Sequence, residues 1–185
     1  MEGGEHEQLA AENKVLRERV AALEEQLNFL GQHRMLSAGI KGERLIARIV
    51  GGELTPHTTG HDIETGSANI EVKYAKLSRP VRTAPTLRWQ WQKIFGQTGG
   101  KNYSHLVLIG EADSRYRSGY RDPLSPYVFF LIPFEEALPL CVKGNPLGIN
   151  VVSNPHAQGR TKILFEKYQV TANEIEERFK LKYSD

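Results

Sequence analysis

Residues 61–74 read HDIETGSANIEVKY, and this stretch predicts a β-hairpin. Its turn is Gly66-Ser67, because glycine in the first position of a two-residue loop supplies the positive φ that hairpin turns require. A hairpin centred on that turn pairs Ile63 with Ile70. Since loop length sets the register, the turn also decides which side chains share each face of the two strands.

Three charged residues fall on one face of this hairpin. Asp62 stands directly opposite Glu71, with their Cβ atoms roughly 5 Å apart, and Lys73 follows on the same face. The other face is apolar and carries Ile63, Ile70 and Val72. Two facing carboxylates repel each other unless a cation lies between them, and a hard divalent cation such as Mg²⁺ prefers such oxygen ligands. The plainer alternative is a solvent-facing salt bridge between glutamate and lysine.

A further carboxylate comes from the preceding segment. Residues 37–50 predict a helix that ends at the glycine pair 51–52. A carboxylate on the inward face of a helix is costly to bury unless it is paired, hydrogen-bonded or bound to metal. Glu43 is predicted to lie on the inward face of this helix. The alternative is that it borders the core and reaches water or Arg44. Its apolar stripe also contains Ile46, Ala47 and Val50.

Together these residues resemble the PD-(D/E)xK nucleases, the superfamily that includes many type II restriction endonucleases and Holliday-junction resolvases. In that family a helix glutamate precedes a hairpin that carries an acidic pair and a lysine. The resemblance is strongest over residues 42–73, with His61 standing where the name motif has proline. It implies an α/β fold with a restriction-endonuclease-like core, in which helices flank a mixed central sheet. The corresponding residues here are Glu43, Asp62, Glu71 and Lys73.

The resemblance also implies an activity, the Mg²⁺-dependent hydrolysis of phosphodiester bonds in double-stranded DNA. Asp62, Glu71 and the backbone carbonyl of Val72 would bind the metal, with Glu43 as an outer or second-metal ligand. The cation would stabilise charge on the phosphate and lower the pKa of a bound water, which Lys73 would orient. The sequence contains no better candidate centre, since its one cysteine is isolated and its six histidines lack metal-ligand spacing. The implied catalytic residues are Asp62, Glu71, Lys73 and Glu43.

The first 36 residues carry a heptad repeat typical of a leucine zipper. Leucine at d with valine at a favours two strands, and a single asparagine at a favours a parallel, in-register dimer. The alternative is an amphipathic helix that packs on its own domain. The expected fold is therefore preceded by an N-terminal coiled-coil helix. The expected dimerisation residues are Leu9, Asn13, Leu16, Val20, Leu23, Leu27 and Leu30.

Positive charge is concentrated behind the zipper. Residues 37–185 carry twenty Lys/Arg against fifteen Asp/Glu, and residues 73–121 carry ten against two. Such a segment can line a phosphate-rich groove, or it can be an ordinary solvated basic face. The loops predicted over residues 78–88 and 113–126, and a predicted helix over residues 89–95, supply side chains that read base edges or hold phosphates. The expected DNA-binding residues are Arg79, Arg82, Arg88, Gln90, Gln92, Lys93, Arg115, Arg117 and Arg121.

The remaining segments predict the scaffold. A short helix is expected over residues 134–138, and a capping box that starts at Thr171 predicts a final helix ending at Phe179. Strands are predicted over residues 104–110, 127–132, 149–152 and 162–168.

These patterns predict a dimeric zipper over residues 1–36 followed by one PD-(D/E)xK domain over residues 37–185. One cysteine, no secretory signal and no apolar run of membrane-spanning length predict a cytoplasmic protein without membrane attachment. The leading functional hypothesis is a homodimeric type II restriction endonuclease. A structure-specific or repair nuclease would use the same catalytic residues. A non-catalytic, zipper-dimerised DNA-binding protein would have its hairpin acids merely paired with Lys73.

Replacing the zipper asparagine tests the dimer interpretation. A buried asparagine amide is satisfied against its twin in a parallel dimer, so Asn13→Leu should admit other registers or larger oligomers. Sedimentation equilibrium of the full chain measures the change in mass. Lys14→Leu, at the adjacent position outside the heptad core, is the matched control and should remain dimeric. A dimer unaltered by Asn13→Leu would contradict this reading of the heptads.

Overall fold

The computed structural model describes residues 12–17, 19–21, 34–56, 58–96, 100–142 and 147–180. The chain divides into two compact units, Met1–Ala38 and Gly39–Asp185. In the first unit the described residues are helical, and Asn13, Leu16 and Val20 lie there with exposed side chains. The other expected zipper positions lie outside the described residues, namely Leu9, Leu23, Leu27 and Leu30.

A long helix, α1 (Arg34–Val50), leads into the strands of the second unit. The strands are β1 (Glu53–Leu54), β2 (Ile63–Glu64), β3 (Asn69–Ala75), β4 (Arg88–Trp91), β5 (His105–Glu111), β6 (Tyr127–Pro133), β7 (Ile149–Val152) and β8 (Gln169–Val170). The helices described after α1 are α2 (Phe134–Ala137), α3 (Arg160–Ile163) and α4 (Ala172–Phe179). Shorter helical turns occupy Ser114–Gly119, Leu138–Leu140 and Leu164–Tyr168.

Six strands form the central sheet in the order β1-β2-β3-β5-β6-β8. β3 and β5 run parallel and the other neighbours antiparallel, so the sheet is mixed. The β2–β3 hairpin has the predicted register, with Ile63 paired to Ile70. The positive φ expected at Gly66 is not found, since Gly66 is not among the described glycines with positive φ, so the turn reaches this register with a different backbone conformation. The expected α/β class, with a mixed central sheet flanked by helices, is therefore confirmed.

Each face of the sheet is covered by its own apolar core. On one face α1 and α4 contribute Ile46 and Ile175, and the apolar side of the hairpin is buried against them as expected. On the other face Trp89, Trp91 and Phe130 lie in a second core. A two-stranded sheet formed by β4 and β7 supplies part of this second core. Both faces of β3 are consequently covered, which determines how its charged residues can be accommodated.

The helix predicted over residues 89–95 is wrong. Arg88–Trp91 forms β4, which pairs antiparallel with β7. Trp89 and Trp91 are buried and Gln90 between them is exposed, which is the two-residue period of a strand. Trp89 also packs so tightly on Gly110 that a Cβ at the glycine would lie 2.5 Å from the indole ring. The tryptophans therefore anchor the second sheet, and no helix presents the glutamines.

The strand predicted over residues 162–168 is also wrong. That stretch completes α3 and continues as the helical turn Leu164–Tyr168. Leu164, Phe165 and Tyr168 are buried. These positions share one face of a helix, and a short apolar run does not distinguish this arrangement from a strand.

The other scaffold predictions are confirmed. The three remaining predicted strands correspond to β5, β6 and β7, and the short helix to α2. α1 ends as expected at Gly51, whose φ is +64°. Thr171 and Glu174 form the predicted capping box at the start of α4. None of the described helices is both long and apolar enough to cross a membrane.

Candidate active site

The hairpin register brings two carboxylates and a lysine together. The backbone N–H of Asp62 donates to the carbonyl of Ile70 at 3.0 Å, one residue out of the β2–β3 register, so the regular pairing ends at Ile63. The backbone N–H of Val72 donates to Asp62 Oδ2 at 2.8 Å. Glu71 is adjacent on β3, and its Oε1 accepts a hydrogen bond from Lys73 Nζ. Asp62 is thus held against β3 by both its backbone and its side chain.

Glu71 is a fully buried carboxylate, with an exposed fraction of 0%. While Lys73 contacts one of its oxygens, Lys101 donates to the other, Oε2, at 2.8 Å. Lys101 Nζ also lies 3.8 Å from Asp62 Oδ1. Two carboxylates and two ammonium groups therefore form one cluster at the edge of the second core.

Lys101 is a site residue that sequence reasoning misses, because it is only one of ten basic residues in 73–121. Its position results from backbone contacts with the start of the hairpin. Asn102 N–H donates to the carbonyl of Gly60 at 2.9 Å, and His61 Nδ1–H donates to the carbonyl of Asn102 at 3.1 Å. A Cβ at Gly60 would lie 2.8 Å from the Asn102 nitrogen, so this approach requires glycine. No sequence pattern near Lys101 indicates these partners.

Glu43 contributes to the same cluster from α1. It is half-buried, and its charge is felt by Lys101. Burial lowers the pKa of Lys101, but the hydrogen bond to Glu71 and the charges of Glu71, Asp62 and Glu43 outweigh burial and raise it overall. Glu43 thus lies within electrostatic reach of the Lys101 ammonium. Its neighbours on the stripe are buried as expected, namely Ile46, Ala47 and Val50.

Burial and the neighbouring lysines have opposite effects on the pKa of Glu71. Burial raises the pKa of Glu71 above the ordinary 4.5, and the charge of Lys73 is the largest opposing effect. The nearby Asp62 adds to the rise, while the hydrogen bonds from Lys101 and Lys73 reduce it. The pKa remains raised overall, so the charged form of Glu71 depends on the cations beside it.

The cluster contains oxygen atoms of the type that a hard divalent cation binds. The N–H and C=O of one strand residue point to the same side. Since the Val72 N–H points to Asp62, the Val72 carbonyl faces away from β5 as well. Asp62, Glu71 and this carbonyl offer the oxygen ligands that Mg²⁺ prefers. Within the described residues no group of three or more His, Cys, Asp or Glu is arranged to hold a metal, and Lys101 contacts both carboxylates.

The predicted DNA-binding residues between β3 and β4, on β4 and just after β4 are mostly exposed. Arg79 is exposed, but its guanidinium donates to the carbonyl of Ala84 at 2.7 Å within its own loop. Arg88 is half-buried on β4, and its Nε is buried without a hydrogen-bond partner among the described residues. The exposed residues of this group are Arg79, Arg82, Gln90, Gln92 and Lys93.

Three other predicted DNA-binding arginines have intramolecular partners. Arg115 Nη2 lies 2.7 Å from the buried Asp113 carboxylate, and this hydrogen-bonded pair lowers the pKa of Asp113 to about 2. Arg117 donates to two carbonyls of the same loop. Arg121 Nη1 lies 2.7 Å from Glu174 of α4. These arginines hold the loop before β6 in place.

The described residues that converge are Asp62, Glu71, Lys73 and Lys101, with Glu43 in electrostatic reach. Comparison of the chain with protein-family models and with curated protein sequences finds no match. The functional interpretation therefore rests on the geometry and charge of this cluster.

Glu71→Gln removes the titration of the buried carboxylate. Because its pKa is raised above 4.5, the folded protein binds this proton more tightly than the unfolded chain does. The wild type therefore loses stability as the pH rises from the unfolded value through the raised folded value. The free energy of unfolding of Glu71→Gln relative to wild type should increase between about pH 5 and about pH 8.

Urea unfolding in EDTA at both pH values measures this difference. Glu64→Gln, which alters an exposed carboxylate on β2, is the matched control and should give the same difference at each pH. A pH-independent difference for Glu71→Gln would contradict the raised pKa.

Proposed function

We propose that this chain is a Mg²⁺-dependent DNA endonuclease with a restriction-endonuclease-like core, acting as a homodimeric type II restriction enzyme. The observation that carries the proposal is the buried Glu71 carboxylate, which contacts Lys73 and shares the Lys101 ammonium with Asp62. Burying a carboxylate is costly, and perturbed carboxylates beside specific charged partners are typical of functional sites. Glu43 supplies the preceding helix acid of the PD-(D/E)xK pattern.

Each residue has a distinct role in the proposed reaction. Asp62, Glu71 and the Val72 carbonyl would bind the cation, and Glu43 would act beyond them. When bound, the cation supplies Lewis-acid stabilisation of the phosphate and a water of lowered pKa. Lys73, whose ammonium is positioned by Glu71, would hold the attacking water and favour its hydroxide form.

The N-terminal heptads would hold two such sites together. Leu16 and Val20 are exposed in the single chain, and a partner helix in a parallel coiled coil would cover them. Two tethered sites would suit cleavage of both strands of one duplex. The same tether would also allow the two sites to act on separate DNA segments.

α1 carries a basic surface that is better suited to DNA than the loop arginines. Lys41, Arg44 and Arg48 are exposed and line one groove with two tyrosines of β3 and β6. Their spacing of three and four residues places them along one side of the helix. α1 also carries Glu43, which lies on a different side of the helix from these cations because successive residues are about 100° apart.

A structure-specific or repair nuclease is the closest alternative. The same catalytic residues would serve it, and the difference is whether a short defined sequence directs the cut.

A non-catalytic, zipper-dimerised DNA-binding protein is favoured by one observation. Lys73 and Lys101 neutralise the acid pair without a metal ion. In that protein the hairpin charges would be structural, and DNA binding would occur without Mg²⁺-dependent cleavage.

Incubation of the purified chain with phage and plasmid DNA, in Mg²⁺ or in EDTA, tests the proposal. The wild type should give discrete fragments only in Mg²⁺, and sequencing should find a common sequence at their ends. Lys73→Ala and Asp62→Asn should each lower the cleavage rate by about 10²–10⁴-fold, because each removes a group that acts on the water or the cation.

Lys162→Ala is the matched control, since this exposed lysine of α3 pairs only weakly with Glu166, at 3.7 Å. It should cleave at the wild-type rate, and circular dichroism of each variant verifies folding. Full activity of Lys73→Ala would refute the catalytic assignment. Cuts directed by DNA structure would favour the repair nuclease, and an absence of cuts on methylated and unmethylated DNA would favour the binding protein.

The double substitution Arg44→Ala/Arg48→Ala tests the basic surface of α1. Each phosphate contact that is lost should reduce the slope of log K against log salt concentration by about 0.9, with similar effects on all sequences. Fluorescence anisotropy of labelled duplexes in EDTA measures binding without cleavage. Lys162→Ala/Lys167→Ala removes two cations that pair with Glu166 and Glu136 and should leave the slope unchanged. An unaltered slope for the α1 variant would exclude this surface.

A further inference from the structure

The Lys101 ammonium faces the carboxylate oxygens that a metal ion would need. Asp62 has two oxygens, and Oδ2 already accepts the Val72 N–H. Glu71 likewise has Oε1 in contact with Lys73. The remaining oxygens, Asp62 Oδ1 and Glu71 Oε2, lie 3.8 Å and 2.8 Å from Lys101 Nζ. A divalent cation bound by both carboxylates through these oxygens would take the place of that ammonium.

The backbone that carries Lys101 is anchored on several sides. The N–H of Asn102 donates to the carbonyl of Gly60, and the carbonyl of Asn102 accepts from the His61 ring. The next residue, the buried Tyr103, donates its hydroxyl to the carbonyl of Ile94 at 3.1 Å. The lysine side chain, in contrast, is a flexible four-carbon stem with a compact charge at its end. The ammonium can therefore withdraw from the carboxylates while the backbone stays in place.

We propose that Lys101 is a tethered counter-ion, which occupies the cation position in the metal-free protein and is displaced when a divalent cation binds. This inference rests on the cation site of the proposed function. Without metal, Lys101 offsets the repulsion between Asp62 and Glu71 and keeps the acid pair assembled. When the metal ion binds, Lys101 loses its contacts with Asp62 and Glu71. This loss opposes metal binding, so Lys101 lowers the affinity of the site for the cation.

Mn²⁺ titration of the full-length chain without DNA tests the inference, with free Mn²⁺ measured by electron paramagnetic resonance. Lys101→Met keeps most of the stem and removes the charge. It should bind Mn²⁺ about tenfold more tightly than the wild type, which corresponds to about 1.4 kcal/mol. Lys101→Arg keeps the charge and should bind no more tightly than the wild type. Lys76→Met, which removes an exposed charge just after β3, is the matched control and should behave as the wild type.

Thermal unfolding supplies a second measurement. In EDTA, Lys101→Met should have a lower Tm than the wild type and Lys76→Met, because Glu71 keeps only one cation. Saturating Mn²⁺ should close that gap, since the metal ion replaces the missing charge. A residue that only packs the loop would lower the Tm equally with and without Mn²⁺, and that result would overturn the inference.

The possible results separate this inference from the proposed function. Mn²⁺ binding by Lys101→Met that equals or falls below the wild type would overturn the role of Lys101 alone. An absence of Mn²⁺ binding in every variant would overturn the cation site and the nuclease mechanism with it. Tighter Mn²⁺ binding by Lys101→Met in a protein that cuts no DNA would support the role of Lys101 and contradict the proposed function.

Discussion

The burial of the Glu71 carboxylate is the constraint on which the rest of the site depends. A buried charge that loses its partner costs about 3–5 kcal/mol, so the fold must keep cations beside Glu71. Lys73 comes from the same strand and contacts one oxygen, while Lys101 comes from a distant segment and contacts the other. The hairpin register, the close approach at Gly60 and the anchored loop at Asn102 all maintain this arrangement.

The topology of the sheet explains how a residue so far along the chain reaches the hairpin. β5 runs parallel to β3, with His105 beside Ile70 and Leu106 beside Glu71. The chain that enters β5 must therefore pass close to the start of β3 and to the loop before β2. Lys101 lies four residues before β5 begins, which places it beside the acid pair. The parallel pairing of β3 with β5 thus brings Lys101 to Glu71 as a second cation, beside Lys73 of the hairpin itself.

The charges of the domain show why composition does not identify a binding surface. Residues 73–121 contain all of the expected DNA contacts, yet several of their arginines bond to carboxylates or carbonyls of the same molecule. Arg121 meets Glu174, which lies far away in sequence, and Arg115 meets a buried Asp113. Three exposed cations lie instead along one side of α1. Arginine side chains are long, so the partner that each one meets depends on the folded neighbourhood.

Local sequence patterns are sufficient to predict the features that depend on a few adjacent residues. These are the hairpin register from its two-residue turn, the end of α1 at Gly51 and the capping box of α4. The sequence also predicts that Asp62, Glu71 and Lys73 lie close together, although Asp62 reaches β3 through its side chain and an out-of-register backbone bond. Local patterns do not predict that Trp89 and Trp91 lie on a strand, that residues 162–168 are helical, or that Lys101 joins the acid pair. Each of these depends on contacts between distant segments, such as Trp89 on Gly110 and Asn102 on Gly60, which outweigh local propensity.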